Sequence, residues 1–112
     1  MAKSEAELKE IVEKYLNLLS QEITIEKVIL FGSYALGKAG EYSDIDLAVV
    51  SKDFEGKRRI DNMKFLFSKA HHVDTSLEPL AFTPGELENP DKRTFPAQIL
   101  KTGKVVYENK KS

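Results

Sequence analysis

Two aspartates, Asp44 and Asp46, bracket the start of the apolar run Ile45 to Val50. In a strand, residues i and i+2 share a face with their α-carbons roughly 7 Å apart, so both carboxylates point the same way while Ile45 and Leu47 point into the core. Such a pair can grip common cations. Two metal ions ~3.5–4 Å apart clamp the attacking and leaving oxygens of a phosphoryl or nucleotidyl transfer. Mg²⁺ prefers carboxylate oxygens plus substrate phosphates. Separated from Asp44 by ten residues, Gly32-Ser33 closes a second apolar run, Val28 to Phe31. A glycine there lets a phosphate approach the backbone, and any helix starting at Ser33 would aim free N–H groups at that phosphate. The Ser33 hydroxyl can add a hydrogen bond.

The pair alone is a weak signal, since six Asp in 112 residues give about 0.3 accidental Asp-x-Asp occurrences per chain. Requiring Gly-Ser at one fixed upstream offset lowers the expectation to about one in a thousand. The plainer alternatives are loop-end carboxylates capping amides at Asp44 and Asp46, and an ordinary helix N-cap at Ser33, which is compatible with phosphate binding.

These residues must be carried by secondary structure, and the chain supplies it in a readable order. Residues 4 to 20 place apolar side chains at three- and four-residue steps behind a capping-box-like Ser4-x-x-Glu7, which predicts an amphipathic helix. Val28 to Phe31 and Ile45 to Val50 read as strands buried on both faces. Residues 57 to 70 return to helical spacing. His72 to Leu77 alternates like a strand with one wetter face, putting His72, Asp74 and Ser76 on one side. Pro79, Pro84 and Pro90 then mark a loop-rich stretch, Phe95 to Leu100 a short helix ended by Gly103, Val105 to Tyr107 a last short strand, and Glu108 to Ser112 a frayed tail. The order predicts an α+β fold, a small mixed sheet packed against helices, with residues 1–112 as a single domain.

Composition narrows the function. Seventeen Lys and Arg stand against 18 Asp and Glu, far less basic than a dedicated nucleic-acid binder. No cysteine is present, which excludes disulfides and thiolate metal sites. Apolar runs fall well short of the ~18 residues of a membrane span, and the start lacks a signal-peptide core, so a cytoplasmic location is expected. His71-His72 reads as a surface pair, Lys57-Arg58-Arg59 as a solvated helix start, and Phe65, Phe67, Phe82 and Phe95 as core.

Phe31-Gly32-Ser33, ten residues, then Asp44-x-Asp46 resembles the signature of the minimal nucleotidyltransferases of the DNA polymerase beta superfamily. The resemblance implies a nucleotidyltransferase fold in which Gly32 and Ser33 hold a nucleoside triphosphate and Asp44 and Asp46 bind two Mg²⁺ ions. A later strand of that family carries a third acid that also binds one of the ions, a role that falls to Asp74, with Glu78, of the same parity, in reserve. Many relatives carry an Arg shortly after Gly-Ser; here Lys38 supplies the charge, without a bidentate fork. The implied reaction is attack of an acceptor hydroxyl on the α-phosphate of ATP with release of pyrophosphate, Asp74 taking the proton. Small members of the family pair with HEPN-domain proteins in toxin–antitoxin-like systems and transfer AMP to them, so such a partner is expected; Phe82, Leu87 and Phe95 are candidates for its docking surface, and core packing explains them about as well. The alternative is a catalytically weak nucleotide-binding or interaction module on the same fold.

Overall fold

Ser4 opens the first helix as its spacing predicts. Its hydroxyl accepts from the Glu7 amide at 3.1 Å, while the Glu7 carboxylate accepts from the Ser4 amide at 3.0 Å. In this computed structural model, which describes residues 2–109, helix α1 (Glu5–Leu19) buries Val12, Tyr15 and Leu19. The Tyr15 hydroxyl donates to the Leu66 carbonyl at 2.8 Å and so ties α1 to α2 (Arg59–Ala70). Burial pushes the Tyr15 phenol well up, and the group stays a neutral donor.

Four strands, β1 (Lys27–Phe31), β2 (Ile45–Val50), β3 (Leu77–Phe82) and β4 (Lys104–Glu108), form one sheet in the order β3-β2-β1-β4. β1 runs antiparallel to both its neighbours, whereas β2 and β3 are parallel, joined through α2. The α+β class and the mixed sheet are as expected.

Side-chain parity sends the strands' apolar residues to two cores. Val28, Leu30, Ile45, Leu47, Val49, Leu77 and Ala81 face α1 and α2. Ile29, Ala48, Val50 and Phe82 face the other way, toward Ile99 of α3 (Phe95–Thr102) and Leu87. The apolar runs of β1 and β2 are thus continuous because both faces are covered over much of their length. Between α1 and β4 the first face leaves an apolar groove of about 400 Å³, lined by Leu8, Val12, Leu16, Leu30, Val106 and Tyr107.

Three expectations are corrected. The third strand is Leu77–Phe82, and His72 to Ser76 form turns, so neither His72 nor Asp74 lies on a strand. Pro79 is compatible with β3 because the strand is an edge. Ile45 donates to the Ser76 carbonyl at 2.7 Å and Ser51 to the Phe82 carbonyl at 3.0 Å, which by parity turns the Leu77, Pro79 and Ala81 nitrogens away from β2. The Ala81 amide accordingly meets the Met63 sulfur at 3.4 Å. Second, Phe82 is 2% exposed and Leu87 partly buried beside it; Phe95 alone of the three expected docking residues is open, which also removes it from the expected aromatic core. Third, Glu108 ends β4 rather than starting a tail, and the rest of that expected tail, 110–112, lies outside the described residues.

Lys57-Arg58-Arg59 precedes and opens α2 as a solvated helix start: Arg58 pairs with Asp61 at 2.9 Å, and Arg59 with Glu86 at 3.6 Å while lying over the Phe82 ring. Among the described residues, no helix is long and apolar enough to cross a membrane.

Candidate active site

The register of the sheet assembles the site. Phe31 of β1 stands opposite Asp46 of β2, and Asp46 stands beside Glu78 of β3. In-register neighbours project from the same face, so Phe31, Asp46 and Glu78 form one row across three strands. Asp44, one residue before β2, shares Asp46's parity, while Ile45 and Leu47 are fully buried on the opposite face, as the alternation predicts. Asp44 is exposed; Asp46 and Glu78 are half-buried.

Electrostatics report the same proximity. Desolvation, then the charge of Asp44, then that of Glu78, raise the Asp46 carboxyl above its ordinary value. Among the described residues no Lys or Arg forms an ion pair with any of these three acids. Among the described residues, then, no ion-paired cation offsets this negative charge.

Gly32 follows directly on β1 with φ +73°, in the left-handed region open to glycine. A side chain there would overlap the Asp46 carboxylate. Glycine is thus required first by Asp46, a reason that the sequence does not display. After it the chain wraps into turns over residues 32–37, not into a lasting helix. Leu36 donates to the Gly32 carbonyl at 3.1 Å and Lys38 to the Ser33 carbonyl at 2.9 Å, so Lys38 closes this excursion with its side chain exposed. The half-buried Ser33 hydroxyl makes no hydrogen bond within the described residues.

Asp74 is placed differently. Its Oδ1 accepts from the Ser76 amide at 2.8 Å and from the Ser76 hydroxyl at 2.5 Å, closing the turn that leads into β3. Desolvation alone would raise its carboxyl, but these two hydrogen bonds and the charge of Lys3 outweigh it and hold the group below its ordinary value. A backbone link joins this turn to the start of β2, because the Ser76 carbonyl accepts from the Ile45 amide. The acid in register with Asp46 is Glu78. Reading Leu77 to Phe82 as an edge strand that tolerates one proline would have brought it forward. His71 and His72 are exposed, away from any strand, as suits a surface pair.

The donor set fits a hard cation. All three groups are carboxylates, and their mutual repulsion is what a divalent ion relieves. Among the described residues, no three His, Cys, Asp or Glu are gathered tightly enough to cage a metal unaided. Mg²⁺ binds characteristically in such an open arrangement, completed by water and substrate phosphates.

Comparison with known proteins agrees. The family described as "Polymerase beta, Nucleotidyltransferase" matches residues 13–112. A candidate protein adenylyltransferase of Methanocaldococcus jannaschii, MJ1305, is 33% identical over 107 residues, covering 90% of this chain and 72% of its own. A candidate nucleotidyltransferase from Sulfolobus solfataricus has a similar structure, with a TM-score of 0.63 at 23% identity over 94% of this chain and 80% of that one. A toxin–antitoxin structure with AMP-PNP gives a TM-score of 0.57 at 22% identity, covering 91% of this chain and 74% of its own. At these identities the two structures speak for the fold, while the family match and the archaeal relative carry the assignment: the chain belongs to the polymerase beta nucleotidyltransferase family.

Proposed function

We propose that the protein transfers AMP from ATP to a hydroxyl on a protein partner, with Mg²⁺ held by Asp44, Asp46 and Glu78. The observation that carries this reading is the row of acids across β2 and β3, without an ion-paired cation among the described residues and set against the bare backbone of Gly32. When bound, the metal ions supply charge neutralisation at the α-phosphate and at the leaving pyrophosphate. The chain's own part is positional. The turn after Gly32 offers its backbone, the Ser33 hydroxyl and the Lys38 ammonium to the β- and γ-phosphates. The acceptor oxygen bonds to the α-phosphorus, the bond to the β-phosphate oxygen breaks, and pyrophosphate leaves. The hydroxyl proton passes to a carboxylate of the row, a role we give to Glu78 on the edge strand.

Support for ATP comes from the AMP-PNP of the toxin–antitoxin neighbour, and support for a protein acceptor from that neighbour's pairing and from the name of the archaeal relative. A HEPN-domain protein carrying an exposed tyrosine fits an open, shallow site of this kind better than a small metabolite, which needs a concave pocket. The test is mass spectrometry of a HEPN-type partner incubated with this protein, ATP and Mg²⁺. A mass increase equal to AMP, absent with Asp44→Ala, is expected. An unmodified partner together with transfer to a free sugar or nucleotide would contradict the assignment.

A further inference from the structure

We propose that Phe95, propped on Phe31 beside Asp46, is the wall against which the nucleobase stacks. This rests on the nucleotide-binding reading above and adds to it the subsite for the base. Phe31 lies directly opposite Asp46, where paired α-carbons are roughly 4.5–5.5 Å apart, and it immediately precedes Gly32. Its ring therefore borders the carboxylates on one side and the phosphate turn along the chain. The Phe95 ring meets it edge to face, with centroids 5.7 Å apart and planes at 80°.

That pairing gives the outer ring a defined pose. Phe95 is the first residue of α3, with Pro96 fixing the next backbone position, yet the residue remains 52% exposed. A large apolar side chain is thus held rigidly in the open. Carboxylates, Phe31 and Phe95 thus follow one another in that order, across the strands and then through the ring contact. In a nucleotide, phosphate, ribose and base follow in the same order, so phosphates at Gly32 and Asp46 bring the base toward Phe95. Every base has a π-face, so such a wall serves adenine without demanding it.

Calorimetric titrations with ATP and with inorganic tripolyphosphate, both with Mg²⁺, separate the base from the phosphates. Phe95→Ala is expected to weaken ATP about tenfold while tripolyphosphate changes less than about twofold, and Phe95→Trp to restore ATP affinity. If both ligands weaken together, Phe95 only supports the fold; if ATP is unaffected, the ring serves another purpose, such as partner docking. Either result overturns the proposal. The underlying reading has its own control: if wild type fails to bind Mg²⁺-tripolyphosphate, or Asp46→Asn binds it equally well, the site assignment falls and this inference with it. Tripolyphosphate binding that depends on Asp46, with ATP indifferent to Phe95, would overturn the base wall alone.

Discussion

On one face of the sheet, Leu30, Ile45, Leu47 and Val49 are sealed beneath α1 and α2; on the other, α3 covers Ile29, Ala48 and Val50, and the end bearing Asp44, Asp46 and Glu78 stays open. The same strands build both faces. Asp46 and Leu47 are chain neighbours, yet a one-residue step moves the side chain from the acid row to the centre of the core. The covered face supplies stability. The open end gives some of it up, because three like charges are held together with no ion-paired cation among the described residues.

The largest contrast should come from substituting those two neighbours. Leu47→Ala removes a fully buried side chain and should cost about 2–5 kcal/mol, lowering the melting temperature by some 10 °C or more while the folded fraction keeps its activity. Asp46→Asn should do the reverse: at least about a hundredfold loss of nucleotide transfer, with melting temperature unchanged or raised. Thermal melts and transfer rates on the two variants check this. Comparable loss of stability in both would break the division between the faces.

Gly32 links the two regimes. Gly32→Ala forces an alanine into a left-handed backbone, at about 1–2 kcal/mol, and drives its methyl into the Asp46 carboxylate. Part of that penalty should vanish in an Asp46→Ser background, where the overlapping oxygens are withdrawn. A double-mutant cycle by chemical denaturation should therefore give non-additive losses; strict additivity would show that the two residues do not share space.

A smaller effect concerns pH. The folded-state pKa of Asp46 is raised, so the native state holds a proton that the unfolded chain gives up more readily. Stability from this group is complete below its ordinary value of 3.8 and is lost as pH rises through the raised folded value. Without metal, Asp46→Asn should gain on wild type across that window, by a degree or two in melting temperature, and the gain should disappear when Mg²⁺ and ATP bind wild type. Parallel melting curves for the two proteins across the whole range would contradict the raising of this carboxyl by burial and by its acidic neighbours.

Much of this architecture is written in local pattern. The capping box at Ser4, the apolar runs of β1 and β2 and the Gly103 stop of α3 depend on near neighbours, and the sequence displays them. The third strand depends on something else. Pro79 argues against a strand unless its nitrogen faces away from the sheet, and only the pairing with β2 supplies that condition. Placing the strand over His72 to Leu77 brought Asp74 forward as the third acid and held Glu78, the in-register neighbour of Asp46, in reserve. The overlap between Gly32 and Asp46 was hidden for a similar reason, since it joins residues that only the sheet brings together.

The account turns on which acid completes the site, and two conservative substitutions decide it. AMP transfer to the partner, followed against Mg²⁺ concentration, should fall at least about tenfold in Glu78→Gln, with a shifted metal dependence. Asp74→Asn keeps an oxygen to accept both Ser76 hydrogen bonds and should retain near-wild-type rate and metal dependence. An active Glu78→Gln beside an inactive Asp74→Asn with altered Mg²⁺ dependence would contradict the account at its centre.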